Sequence, residues 1–137
     1  MSAIPAARAA QTAPDATARD ALFKTFGRAF FKRDADLMYQ VVTPDFVWAS
    51  HGTDGTVQLL QTRAAVTAKL TAPGSRSDTR FHDVVYHHAP DATFMTFRIT
   101  YTDTATGRAC EETGVERYIF KDGRIALKDV YVKAAGN

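Results

Sequence analysis

Two carboxylic acids near the end of the chain, Glu116 and Asp129, have the spacing of a facing pair in a β-hairpin. They lie on two strand-like segments joined by Asp122 and Gly123. An Asp-Gly pair between alternating strands is a strong hairpin signal. With these two residues as the turn, the ladder places Glu116 directly opposite Asp129 on one face of the hairpin.

The surroundings expected for this carboxylate pair are apolar, with Tyr118, Leu127, Met95 and Phe97 as neighbours. Two like charges that close in a poorly hydrated cavity cannot both ionise easily, so one pKa rises and the pair provides an acid and a base. The alternative is that Arg98 or Arg117 pairs with one acid, or that this end of the sheet is exposed to solvent. The other face of the hairpin is predicted to carry Arg117, Ile119, Ala126, Lys128 and Val130.

His51 is a third candidate, because it follows a short strand bearing Trp48 and precedes Gly52. Imidazole titrates near neutral pH and therefore suits a general base. The alternative is an exposed loop histidine without a function.

The remaining histidines do not predict a metal site. His87 and His88 are neighbours on a strand and point to opposite faces, and His82 and His88 lie roughly 20 Å apart at the strand rise. Cys110 is the only cysteine, which excludes an intrachain disulfide and a multi-cysteine metal site. We therefore expect no metal and no cofactor.

The length of 137 residues and the hydrophobic fraction of 45% are typical of one globular domain. A net charge of +2 without a basic stripe argues against nucleic-acid binding. No apolar run approaches the roughly 20 residues of a membrane span, so no membrane partner is expected. We expect a flexible tail over residues 1–14, one domain over 15–133, a second tail over 134–137, and a cytoplasmic protein.

The elements that position these residues begin with helices. Asp15 or Thr17 can cap a helix that runs to about Arg33 and carries four phenylalanines. Further segments predict a short helix over Leu37–Val42 that Pro44 ends, a strand over Asp45–Ser50, an extended stretch over Val57–Leu60, a helix over Arg63–Leu70 and a loop over Thr71–Asp78.

The second half of the chain alternates with the period of strands. Strands are predicted over Thr79–His88, Thr93–Asp103 and the two arms of the hairpin within Arg108–Lys133. Helices followed by strands indicate an α+β fold. A bent antiparallel meander around a phenylalanine-rich helix would form a half-open cone with an interior cavity.

From Asp15 to Lys133 the chain resembles the nuclear transport factor 2-like superfamily, and within it the SnoaL-like proteins related to polyketide cyclases and ketosteroid isomerase. The resemblance rests on the first helix ending in FFKRDADLMYQVVTPDFVWAS, the short helix after LLQTRAAV, and the final RYIFKDGRIALKDVYVK. It implies a cone-shaped curved antiparallel sheet packed against N-terminal helices, the cystatin-like α+β barrel. It also implies that His51 opens toward the cavity, and commonly a homodimer through the open face of the sheet.

The ketosteroid isomerase residues do not carry over to this chain. The base of that enzyme is an Asp at the end of the first short strand, where Ser50 and His51 stand here. Its oxyanion-hole tyrosine lies on the first helix, where this chain has phenylalanines. The resemblance therefore does not extend to steroid isomerisation.

Aromatic side chains in such a cone are expected to pack at one end and to line the cavity at the other. The candidate ligand-binding residues are Phe30, Tyr39, Trp48, Phe97, Tyr101, Tyr118 and Tyr131.

Two functions fit these patterns. One is a cofactor-independent isomerase, cyclase, dehydratase or hydrolase that acts on a small apolar molecule, with His51, Glu116 and Asp129 as catalytic residues. The other is a binding or interaction module without chemistry. A third, by analogy of fold, is an oxygenase small subunit with an obligate partner chain.

A homodimer is predicted because the second sheet face is apolar at Phe94, Val115, Ile119, Val130 and Val132.

Overall fold

Three helices and six strands follow one another along residues 13–134, the part of the chain that the computed structural model describes. The helices are α1 (Ala16–Lys32), α2 (Ala35–Met38) and α3 (Arg63–Thr71). The strands are β1 (Val42–His51), β2 (Val57–Leu60), β3 (Arg76–His88), β4 (Ala92–Asp103), β5 (Ala109–Lys121) and β6 (Arg124–Ala134).

Helix α1 begins and ends where its capping chemistry predicts. The Asp15 side chain accepts a hydrogen bond from the Ala18 N–H at 2.9 Å, which satisfies one of the free amides of the first turn. The helix ends at Arg33, whose φ of 54° is left-handed. Its buried face carries Phe23, Phe26 and Ala29, which pack against the sheet. The predicted first helix is confirmed.

The second predicted helix is too long, because β1 already begins at Val42 and runs through Pro44. Proline is tolerated there because the pairing of β1 with β6 is interrupted between Val42 and Val47, so no ladder hydrogen bond is lost. The third predicted helix is confirmed, with Thr62 Oγ1 accepting from the Ala65 N–H.

The six strands form one open sheet in the order β2-β1-β6-β5-β4-β3. The predicted α+β architecture is confirmed. The sheet is mixed rather than wholly antiparallel, since β1 and β6 run parallel while every other neighbouring pair is antiparallel. The helices pack on its inner face, and its outer face is not covered by any element of residues 13–134.

Strand β3 starts three residues earlier than predicted and contains two irregularities, one between Ser77 and Arg80 and one between His82 and Val85. Asp78 and Asp83 have positive φ values of 52° and 55° at these points. Such bulges bend an edge strand, which curves the sheet around α1.

The closing hairpin has the predicted turn but not the predicted register. Asp122 and Gly123 both have positive φ, as a type I′ hairpin turn requires. Beyond the first two pairs, a β-bulge at Ala126 adds one residue to β6. Glu116 therefore pairs with Val130 and not with Asp129.

The bulge at Ala126 exchanges the faces of every later residue of β6, because the side-chain period of a strand is two. Lys128 and Val130 face the core with Tyr118, whereas Asp129 and Tyr131 lie on the outer face. The prediction that Asp129 shares a face with Glu116, and that Lys128 and Val130 lie on the other face, is wrong for this reason.

A buried arginine ties the start of α1 to the β3–β4 turn. Arg19 is 4% exposed, and its guanidinium lies 4.9 Å from the centre of the Phe120 ring. It donates hydrogen bonds of 2.6–3.1 Å to the carbonyl oxygens of Pro14, Ala89, Pro90 and Ala92 and to Thr93 Oγ1. These hydrogen bonds hold the first turn of α1 against the β3–β4 turn.

Both ends of the chain lie outside the described part of the structure. The predicted tails over 1–14 and 134–137 fall mostly on residues 1–12 and 135–137, and Ala134 is the last residue of β6. No helix within residues 13–134 is long and apolar enough to cross a membrane.

Candidate functional site

A pocket of about 180 Å³ lies between α1 and the inner face of the sheet. Helix α1 provides one wall with four phenylalanines and Gly27. Strands β3, β4, β5 and β6 provide the other walls. The lining residues are Phe23, Phe26, Gly27, Phe30, Phe31, Phe81, Val84, Tyr86, Met95, Glu116, Tyr118 and Lys128. The pocket is therefore apolar and aromatic except for a small group of polar side chains.

Three buried polar residues of the hairpin, Glu116, Tyr118 and Lys128, meet on the inner face of the sheet. Tyr118 donates its hydroxyl proton to Glu116 Oε1. Lys128 Nζ lies 3.8 Å from the same carboxylate oxygen. Tyr118 and Lys128 are direct cross-strand partners, so the bulge at Ala126 is what brings the lysine to this site.

The Lys128 ammonium is surrounded by aromatic rings. It lies 3.9 Å from the centre of the Phe30 ring, 4.9 Å from Trp48 and 5.3 Å from Phe26. Ring faces attract a cation, and they replace part of the hydration that burial removes. Burial still lowers the pKa of Lys128 below its usual value, and the Glu116 carboxylate acts in the opposite direction.

The two tyrosines of the pocket are held in their protonated forms. Burial raises the pKa of Tyr118 well above its usual range, and the charge of Glu116 and the hydrogen bond to it add to this effect. Burial also raises the pKa of Tyr86, with smaller contributions from Glu116 and Asp20. Tyr118 therefore acts as a hydrogen-bond donor that orients the carboxylate.

This arrangement can move a proton in a water-poor space. The Glu116 carboxylate is a proton acceptor at the edge of an apolar cavity, and its orientation is fixed by Tyr118. A positive charge on Lys128 can stabilise negative charge that develops on a bound molecule.

A second polar cluster lies on the outer face of the sheet, and it contains two of the three residues predicted to be catalytic. His51 Nε2 lies 2.8 Å from Asp129 Oδ1, and the His51 ring stacks on Tyr131 with centroids 3.9 Å apart. Arg117 donates to Asp129 Oδ2 from Nη2 at 3.0 Å and from Nε at 3.2 Å. The buried Asp129 side chain therefore contacts both His51 and Arg117.

Comparison with known proteins identifies the family. The sequence model of the SnoaL-like domain matches residues 23–128, which is most of the chain. The chain belongs to the SnoaL-like family. No curated protein matches its sequence.

Solved structures of nuclear transport factor 2-like proteins share the fold of this SnoaL-like chain. A protein of this type from Burkholderia xenovorans superposes with a TM-score of 0.73 at 15% identity, covering 87% of this chain and 92% of its own. A candidate polyketide cyclase from Xanthomonas campestris gives 0.63 at 18% identity, with 84% and 90% covered. A candidate ketosteroid isomerase from Kribbella flavida gives 0.65 at 14% identity, with 85% and 78% covered.

Of the predicted catalytic residues of this SnoaL-like protein, only Glu116 lies in the pocket. The expected position of Asp129 beside Glu116 is wrong because of the bulge in β6. The expected opening of His51 toward the cavity is also wrong, because Trp48 points inward and a residue three positions later on the strand points outward.

The predicted ligand-binding residues divide between the pocket and other places. Phe30 and Tyr118 line the pocket. Trp48 lies behind Phe30 at 5.4 Å between ring centres, and Phe97 packs against the lining residue Phe81.

The other three predicted tyrosines do not reach the pocket. Tyr39 lies under the Arg63 guanidinium at 4.5 Å, and burial raises its pKa. Tyr101 donates to Glu112 Oε2 at 2.8 Å near the far end of β4. Burial and this hydrogen bond raise the pKa of Tyr101 to about 12. Tyr131 lies on the outer face.

Sequence reasoning missed Lys128, which the structure places at the centre of the site. A lysine on a strand is usually exposed, and nothing in the local sequence marks Ala126 as a bulge. Tyr86, which also lines the pocket, was missed as well.

Three of the histidines are accounted for by hydrogen bonds to threonines of β4. His82, His87 and His88 lie within 3.1 Å of Thr100, Thr96 and Thr93, respectively. Within residues 13–134 no group of three or more His, Cys, Asp or Glu side chains could hold a metal ion.

Proposed function

We propose that this SnoaL-like protein binds a small, mostly apolar organic molecule between α1 and the sheet and catalyses a proton transfer on it without a cofactor. The observation that carries the proposal is the buried Glu116 carboxylate at the edge of an otherwise aromatic pocket. A buried charge is costly unless it is paired, and Tyr118 and Lys128 supply that pairing. A carboxylate positioned at the edge of an apolar cavity can act as a general acid or base.

The size of the pocket restricts the ligand. An apolar protein cavity of about 150 Å³ holds one benzene molecule. The pocket of about 180 Å³ therefore has room for a molecule with one ring and a short polar substituent.

The proposed reaction begins with removal of a proton from a carbon next to a carbonyl group. Glu116 accepts the proton, and the negative charge moves to the carbonyl oxygen, where the Lys128 cation stabilises it. Return of the proton to another carbon completes an isomerisation, and attack of the carbanion within the same molecule completes a cyclisation. The proteins of this fold named as a candidate polyketide cyclase and a candidate ketosteroid isomerase support this reaction class.

Hydrogen–deuterium exchange tests the proposal directly. The protein is incubated in D₂O with single-ring ketones such as acetophenone, and loss of the proton signal next to the carbonyl is followed by NMR. Exchange above the buffer rate supports acid–base chemistry. Binding without exchange would favour a ligand-binding module. In that case the hydrogen bond from Tyr118 to Glu116 would only stabilise the buried carboxylate.

We also propose a homodimer formed through the outer face of the sheet. Exposed apolar side chains on this face are Val57, Leu59, Val85, Phe94 and Tyr131. Val130 and Val132 do not contribute as predicted, because they face the core. Light scattering should give twice the chain mass for the protein and a lower mass for Phe94→Arg. A single-chain mass for the unaltered protein would contradict the dimer.

A cytoplasmic location agrees with the cysteine chemistry. Cys110 is free and partly exposed, as is common in a reducing compartment. The location is part of the proposal.

A further inference from the structure

We propose that Lys128 is a covalent catalytic residue whose amine condenses with the carbonyl group of an aldehyde or ketone in the pocket. The inference rests on the proposed function, because it assigns the substrate class of the same site. It replaces a purely electrostatic role of the lysine with a bond to the substrate. Carboxylic acids, esters and epoxides would then be excluded as substrates, since they do not form imines.

The first supporting observation is the position of the amine. Among the described residues that line the pocket, Lys128 alone carries an amine. Its nearest carboxylate oxygen, on Glu116, is 3.8 Å away, which is longer than a hydrogen bond. Exposed lysines of the protein differ, since Lys121 approaches Asp45 and Lys69 donates to Gln58 at the surface.

The second observation concerns the charge of the amine. A lysine attacks a carbonyl only as the neutral amine. Burial among Phe26, Phe30 and Trp48 lowers the pKa of Lys128, so more of it is neutral near pH 7 than of a lysine in water. The same aromatic rings then stabilise the cation that the reaction produces.

Glu116 is near enough to carry the protons, because its Oε1 lies 3.8 Å from the Lys128 nitrogen and catalytic contacts are often longer before substrate binds. It takes one proton from the Lys128 ammonium, and the neutral nitrogen then attacks the carbonyl carbon. The C–N bond forms, the carbonyl π electrons move to oxygen, and Glu116 returns the proton to that oxygen. The carboxylate next removes a proton from nitrogen and delivers it to the hydroxyl as the C–O bond breaks. The products are a protonated imine, one water molecule and the Glu116 carboxylate.

The protonated imine connects this step with the proposed proton transfer. It withdraws electrons from the neighbouring carbon more strongly than the parent carbonyl does, so a C–H bond there is more acidic. Glu116, again a carboxylate beside the new cation, can remove that proton to give an enamine. Addition of water in the reverse sequence releases the product and restores Lys128.

Reductive trapping tests the inference on the unaltered protein. Benzaldehyde has one ring and a short polar substituent, and sodium cyanoborohydride reduces its imines to stable benzylamines that peptide mass spectrometry can locate. Exposed Lys24 on α1 is the internal reference. We expect Lys128 to be labelled at least about tenfold faster than Lys24 at pH 7, because the pocket holds the aldehyde beside the Lys128 amine and so raises the rate of their reaction. Labelling of Lys128 no faster than Lys24 would overturn the inference.

Two further measurements separate this inference from the proposed function. Lys128→Arg keeps the positive charge but cannot form an imine, so it should lose the adduct and retain the fold. If Lys128 is not labelled while acetophenone exchange still depends on Glu116, the covalent role fails and the proton transfer stands. If Lys128 is labelled but no exchange occurs, the covalent role stands and the proton transfer fails.

Discussion

Replacing Glu116 by Gln is expected to slow acetophenone exchange by about 10²–10⁴-fold, the usual contribution of a positioned general base. Glutamine has nearly the same shape as glutamate, and its amide oxygen can still accept the hydrogen bond from the Tyr118 hydroxyl. The pocket should therefore keep its geometry. The variant loses only the group that takes the proton. NMR exchange rates for the variant and the unaltered protein, together with their melting curves, measure this effect.

The matched control for Glu116→Gln is Asp129→Asn, which changes the other buried carboxylate of the hairpin. Asp129 contacts His51 and Arg117 on the outer face. Its replacement should lower the free energy of unfolding, because Arg117 loses its anionic partner, and should leave the exchange rate unchanged. Equal slowing of exchange by both variants would contradict the assignment of the pocket as the active site.

Replacing Arg19 by Met is expected to lower the free energy of unfolding by about 3 kcal/mol or more, because buried hydrogen bonds to a charged group are lost. Methionine keeps the packing against Phe120 but leaves four carbonyl oxygens and Thr93 without their donor. Since these bonds connect α1 to the β3–β4 turn, the wall of the pocket should loosen as well. Chemical denaturation measures the loss.

A second arginine of the same helix provides the control for Arg19→Met. Arg28 is exposed, so Arg28→Met should change the free energy of unfolding by less than about 0.5 kcal/mol. If the two variants lose the same stability, the buried arginine is not what fixes α1 on the sheet.

Local signals in the sequence were sufficient to predict most of the helices and strands. Asp15 and Thr62 cap their helices as their side-chain chemistry predicts, and Asp122-Gly123 forms the predicted turn. These features depend on a few adjacent residues. Helix caps and tight turns can therefore be predicted from the sequence without knowledge of the rest of the fold.

The site was only partly predictable because its geometry depends on one inserted residue. Neither Ala126 nor its neighbours in the sequence mark a β-bulge. The extra residue nevertheless turns Lys128 toward the pocket and Asp129 toward the outer face of the sheet. Glu116 lies in the pocket because it is on β5, and the extra residue in β6 does not change which way the side chains of β5 point. Its real partners, Tyr118 and Lys128, follow from the shifted register.

The contact between His51 and Asp129 could not be predicted for a different reason. The two residues are 78 positions apart and meet only because β1 and β6 pair in parallel. Parallel pairing of strands so distant in sequence has no local signal. Both residues were noticed for their chemistry, but their mutual contact is a property of the tertiary fold.

Filling the pocket from Gly27 tests whether the space between α1 and the sheet is the functional site. A Cβ at Gly27 would meet no atom within 4 Å, so the space beside the helix is open. Leucine there should occupy the cavity and also favour the helix by about 1 kcal/mol relative to glycine. Gly27→Ala is the matched control, because it brings the same helical preference with little volume.

The measurement is acetophenone binding, followed by the NMR shift of the Met95 methyl group, in the unaltered protein, Gly27→Ala and Gly27→Leu. We predict that the first two bind, and that Gly27→Leu loses binding and exchange while melting at the same or a higher temperature. A Gly27→Leu variant that binds and exchanges acetophenone like the unaltered protein would show that the pocket between α1 and the sheet is not the functional site.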